Sequence, residues 1–169
     1  PMLNQPSLVK HIPNILTLTN LGLGITAIYI TAANAYDTHA IPCYLVLLGA
    51  LLDGVDGWLA RKLNAVSEMG KQLDSFADLI TFGVATCIIL LTDASIKNIG
   101  VAGVLLLIYP IAGAYRLARH NLGNFKRSFM GLPITISSSL LVGLYLIFCI
   151  WSNHISGHSL AFSAILISL

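Results

Sequence analysis

The stretch Asp53-Gly54-Val55-Asp56-Gly57-Trp58-Leu59-Ala60-Arg61 is followed eight residues later by Gly70-Lys71-Gln72-Leu73-Asp74-Ser75-Phe76-Ala77-Asp78. It sets four carboxylates into a strongly apolar chain. Of the 169 residues, 56% are hydrophobic and only 9% are charged, and the mean hydropathy is +0.83. Soluble domains carry about 25% charged residues, so a water-soluble fold is excluded. Intrinsic disorder needs the opposite composition. A net charge of +2 is too small for a nucleic-acid binder, and no nucleic-acid partner is expected. The chain reads as an all-α integral membrane protein.

A helix crosses a ~30 Å hydrocarbon core in about 20 residues. Six transmembrane helices are predicted: Ile15–Ala33, Ile41–Leu63, Gly70–Thr92, Ile99–Arg119, Gly131–Trp151 and Ser159–Leu169. The last is short, so a continuation of the native chain or a nearly upright helix is expected. No segment alternates strictly enough for a β-barrel strand. Residues 1–12 are mildly amphipathic and end at Pro13, which predicts a short interfacial helix. Residues 13–169 then form one six-helix domain. In this topology Lys10, Arg61, Lys62, Lys71, Arg116, Arg119, Lys126 and Arg127 fall on one side and Lys97 on the other. The positive-inside rule makes the crowded side cytoplasmic. Cys43, Cys87 and Cys149 lie far apart in apolar stretches and read as small buried hydrophobes.

The acids are the feature that needs a reason. A charge near the centre of a span costs about 2.5–3.5 kcal/mol on insertion scales. Asp53 and Asp56 are three residues apart, and Asp74 and Asp78 four apart, so each pair shares a helix face. Spans two and three form a hairpin, so the pairs can meet at one depth. Like charges that converge cannot all stay ionised alone. Oxygen donors without nearby Cys or His suit Mg²⁺, Mn²⁺ or Ca²⁺ rather than zinc. A pair of hard ions about 3.5–4 Å apart is the usual device for displacement at phosphorus. Gly54, Gly57, Ala60, Gly70 and Ala77 surround the acids, and small residues let helices or a ligand approach closely.

As one string, Asp53-x2-Asp56-Gly57-x2-Ala60-Arg61-x8-Gly70-x3-Asp74-x3-Asp78 resembles the signature of the CDP-alcohol phosphatidyltransferase family at every fixed position. The resemblance implies that a hydroxyl attacks the lipid-side phosphorus of a CDP-linked lipid and CMP leaves. It implies a metal site of Asp53, Asp56, Asp74 and Asp78, with two divalent cations, Mg²⁺ or Mn²⁺, and Ca²⁺ as a non-productive occupant. Asp78 would also be the catalytic base on the incoming hydroxyl. Gly57, Ala60, Arg61 and Gly70 would lie along the CDP-lipid, with Arg61 on phosphate. A homodimer is implied as well.

Flanking residues resemble the serine-using branch of that family. They are Ile12-Pro13-Asn14-Ile15-Leu16-Thr17 through Asn20 and Gly24, Phe82-Gly83, Arg116-Leu117-Ala118-Arg119-His120-Asn121 and Phe129-Met130-Gly131-Leu132-Pro133. The partners would then be CDP-diacylglycerol, L-serine, the product CMP and membrane lipids, at the cell (inner) membrane. Asn20 sits where an unpaired amide is costly; it bonds either the nucleotide or a neighbouring helix. Arg116 and Arg119 share a face, and an Arg fork suits a carboxylate. With Lys126 they are the candidates for serine binding, set against a plain role as cytoplasmic anchors. Glycerol phosphate, inositol phosphate and an archaeal CDP-lipid are alternative substrates of the same chemistry. A metal-ion transporter is the alternative from another class.

Overall fold

The computed structural model describes residues 12–33, 40–63, 65–92, 100–121 and 132–154. Every regular element among them is a helix: α1 (Ile12–Ala32), α2 (Ala40–Lys62), α3 (Glu68–Leu91), α4 (Gly100–Asn121) and α5 (Ile134–His154). Among the described residues α1, α2, α3 and the Ile134–Trp151 part of α5 are long and apolar enough to cross a membrane. α4, at 22 residues, has the length to do so. The expected sixth span, residues 1–11 of the expected interfacial segment 1–12, and Lys126 lie outside the described residues, while Ile12 belongs to α1.

The helix starts follow local chemistry. Pro13 and Pro42 sit in the first described turns of α1 and α2, positions where a missing N–H is tolerated near a helix start and a fixed φ helps. α1 is already helical at Ile12, three residues ahead of the predicted start. α3 begins at Glu68 rather than Gly70 because Ser67 caps it, its hydroxyl accepting from the Gly70 N–H at 3.0 Å. Pro110 lies inside α4. It cannot donate to the carbonyl of Leu106, four residues back. That carbonyl instead accepts from the Cys87 thiol of α3 at 3.1 Å.

α3 is the central helix: 56% of its apolar window is buried, against 28% for each of the other three candidate spans. Its middle, Leu79–Ala85, is wound as a π-helix, a rare form frequently found at functional sites. This segment touches α1, α2, α4 and α5. Close approach requires glycine at two places. A Cβ on Gly24 would strike Thr81, with the Thr81 Cα at 2.8 Å, and a Cβ on Gly49 would lie 2.6 Å from Asn20 Oδ1. The core is built from Ala27, Val46, Phe82, Ile89, Leu90, Val142 and Tyr145. Large apolar side chains such as Ile15, Leu18, Leu48, Leu51, Leu105, Ile108, Leu140 and Ile147 point outward, which is the surface a lipid bilayer solvates.

Candidate active site

Three long-range hydrogen bonds gather the start of α1, the end of α2, the start of α3, the end of α4 and the start of α5 at one end of the bundle. Thr17 Oγ1 of α1 donates to Asp56 Oδ2 of α2 at 2.9 Å. Thr135 Oγ1 of α5 donates to Asp53 Oδ2 of α2 at 3.2 Å. Asn121 Nδ2 of α4 donates to Ser75 Oγ of α3 at 2.9 Å. Arg61, Lys62, Lys71, Arg116 and Arg119 stand at this same end, so the described part of the charge asymmetry is one-sided.

The two aspartate pairs meet here as the hairpin predicts. Ligand oxygens of Asp53, Asp56 and Asp74 lie within 4.8 Å of one another. Asp78 is buried one turn deeper than Asp74, and its Oδ1 has no partner among the described residues. The ion pair of the hairpin, Lys71 Nζ to Glu68 Oε1 at 3.3 Å, involves none of the four acids, and no salt bridge among the described residues compensates them. A divalent cation fits this donor set. The oxygens are close enough to share one, they are hard ligands, and an orphaned buried carboxylate oxygen otherwise costs several kcal/mol.

Beside the acids opens a cleft of about 230 Å³ between α1, α2 and α3. Gly57, Ala60, Arg61 and Gly70 all line it, as the motif predicts, and so do Asp56 and Asp74. The two glycines serve differently. A Cβ on Gly57 would meet nothing within 4 Å, so the space above it is free for a ligand. A Cβ on Gly70 would come 3.0 Å from Ser67 Oγ and 3.2 Å from Asn14 Oδ1, so this glycine lets α1 close on the hairpin. Asn14, Thr17, Ser67 and Lys71 also line the cleft; the sequence singled out none of them as site residues. Asn20 is not part of this lining. It is fully buried one turn past Thr17, its main-chain carbonyl accepting from Thr81 Oγ1 at 3.1 Å and its amide atoms unpartnered. Arg116 is half-buried and Arg119 exposed on the last turns of α4, and neither lines the cleft.

The family model for CDP-alcohol phosphatidyltransferases matches residues 10–168. The chain belongs to the CDP-alcohol phosphatidyltransferase family. The match covers the aspartate hairpin and all five described helices. Among curated members, a CDP-diacylglycerol–serine O-phosphatidyltransferase of Bacillus subtilis is 38% identical over 79% of this chain and 75% of its own length. The protein of the same name from Helicobacter pylori is 36% identical over 77% of this chain and 55% of its own. An archaetidylserine synthase of Methanothermobacter thermautotrophicus is 34% identical over 85% of this chain and 64% of its own. The chain thus spans three quarters of the first relative and little more than half of the second.

Proposed function

We propose that this membrane protein is a transferase that moves the phosphatidyl group of CDP-diacylglycerol to the hydroxyl of L-serine, giving phosphatidylserine and CMP. The observation that carries the reading is the meeting of four otherwise uncompensated carboxylates beside a cleft lined by Gly57, Ala60, Arg61 and Gly70. The relatives named for serine transfer support the choice of acceptor.

In this reading Asp53, Asp56, Asp74 and Asp78 hold two divalent cations, Mg²⁺ or Mn²⁺. Bound there, such ions supply charge neutralisation at the diphosphate and at the departing CMP. The remaining work falls to side chains. Gly57 and Ala60 leave room for the CDP moiety, and Arg61 takes a phosphate oxygen. Arg116 and Arg119, with Lys126, hold the serine carboxylate. Asp78 accepts the proton of the serine hydroxyl as its oxygen bonds to the lipid-side phosphorus. The phosphoanhydride bond breaks on the opposite side, and CMP leaves with the electron pair.

The active site belongs on the cytoplasmic face of the cell (inner) membrane, because the basic residues crowd that end. A homodimer is part of the same proposal by family resemblance, and is read from the mass of the detergent-purified protein. A transporter is disfavoured by the other end of α3, where Thr86 and Cys87 are closed by internal hydrogen bonds. The test is CMP release from CDP-diacylglycerol with serine, glycerol 3-phosphate or inositol phosphate as acceptor. Release stimulated by serine alone supports the reading, and release with another acceptor alone overturns the serine assignment. Parallel assays with CDP-archaeol address the second lipid class, which the archaetidylserine synthase relative brings in.

A further inference from the structure

Two hydroxyls outside the aspartate hairpin reach into it from opposite neighbours. Thr17 on α1 and Thr135 on α5 each donate to the Oδ2 of a different α2 aspartate. The partners are 39 and 82 residues apart in sequence, so neither contact is a by-product of local helix geometry. Thr17 Oγ1 also lies 3.0 Å from the Pro13 carbonyl, but a hydroxyl has one proton. That carbonyl stands four residues back in the same helix, where it has the Thr17 N–H as its ordinary partner. A carboxylate is the stronger acceptor, so the proton goes to Asp56. Thr135 sits in the first turn of α5, and its hydroxyl is bonded to Asp53 across the bundle.

We propose that Thr17 and Thr135 are positioning residues that fix the rotamers of Asp56 and Asp53 for cation binding. The inference rests on the metal reading above and assigns it a supporting shell. An ionised carboxylate offers about four lone-pair directions. One hydroxyl uses one of them and holds the group, leaving the rest to a cation. Threonine suits the task because its branched Cβ restricts χ1 on a helix. Asp53 and Asp56 lie three residues apart on α2, so holding one from α5 and the other from α1 sets the width of the site. The hairpin supplies the charges, and the flanking helices supply the aim.

The test uses the full chain in detergent or nanodiscs, with Mn²⁺ alone as the probe. Free Mn²⁺ is followed by electron paramagnetic resonance during titration. Thr135→Val and Thr17→Val keep the shape and remove the hydroxyl; Thr→Ser at each position restores it. Removing an outer partner of a metal ligand typically weakens metal binding about 10–100-fold. The valine variants are expected to fall in that range, and the serine variants to stay within about threefold of the parent. Thermal unfolding of each variant, run beside the titration, identifies any that is poorly folded, and the comparison between the serine and valine variants at the other position then carries the test. A merely structural role would lower the melting temperature without moving Mn²⁺ affinity, and would overturn the inference. So would a serine variant as weak as its valine counterpart. No Mn²⁺ binding by the parent protein would instead overturn the metal reading itself.

Discussion

On the second and third turns of α3, Asp74 and Asp78 face Asp53 and Asp56 with no cationic side chain among the described residues to meet them, and Asp78 Oδ1 is buried without a partner there. Within the next one to three turns, the same helix buries polar groups differently. Thr81 donates to the Asn20 carbonyl at 3.1 Å. Thr86 and Ser138 share a hydrogen bond of 2.6 Å. Cys87 takes up the carbonyl that Pro110 frees. Lipid cannot satisfy polar groups, so around Thr86, Ser138 and Cys87 the far half closes on itself, while between the two regions the buried Asn20 amide keeps no partner among the described residues. The aspartate half is left open although the cost of leaving it so is higher. A region that folding alone had shaped would have paired its acids with arginine or lysine. The difference marks one half as structure and the other as a place for a ligand.

The sharpest way to break this contrast is Asp78→Asn. Loss of a general base typically lowers turnover about 10²–10⁴-fold, while CDP-lipid binding should persist because the amide keeps the shape. Near-normal CMP release would remove Asp78 from the chemistry. Next come Asp53→Asn and Asp74→Asn. Each should raise the Mn²⁺ needed for half-maximal rate by more than the ~10-fold expected of a supporting residue. Chelation should silence the parent protein and added Mn²⁺ restore it. An unchanged metal titration in either variant would count against it as a ligand.

A smaller effect is expected at the end of α4. Lysine keeps the charge of Arg116 or Arg119 but loses the bidentate fork. Loss of a charge-assisted hydrogen bond of about 2 kcal/mol corresponds to a roughly 30-fold rise in the KM for serine. The KM for CDP-diacylglycerol should hardly move. Equal losses for both substrates would place the arginine on lipid phosphate instead. The smallest effect on activity belongs to the closed half. Thr86→Val leaves Ser138 unpaired and should cost about 1–3 kcal/mol of stability, read as a lower melting temperature, with kcat nearly unchanged. Adding Ser138→Ala should recover part of that loss. A large fall in kcat at constant stability would blur the division between the two halves.

The hairpin and its acids were legible because both signals are local. Spacing of three and four residues fixes a helix face, and a charge in an apolar run has few structural excuses. Gly57, Ala60, Arg61 and Gly70 line the cleft for the same reason: the motif sits on two consecutive helices. Thr135 was not legible. A threonine near the start of an apolar helix looks like any other, and its partner is 82 residues away. The start of α3 moved from Gly70 to Glu68 because a serine cap outweighs the first apolar residue as a boundary signal. Asn20 divided the alternatives as written, and the fold buries it between helices rather than in the cleft. The π-helical turn at Leu79–Ala85 had no sequence signal, since its residues read as ordinary buried helix. It packs against four neighbouring helices at once, contacts that are set by residues far away in sequence.

The central claim is that the four aspartates, which meet no cationic side chain among the described residues, are set to take divalent cations. Mn²⁺ binding to the purified chain, counted by electron paramagnetic resonance in the presence of CMP, tests it most directly. The account predicts about two ions per chain, lost in Asp53→Asn and Asp74→Asn and kept in Thr86→Val. Full Mn²⁺ occupancy in both aspartate variants would contradict it, as would a parent protein that binds none.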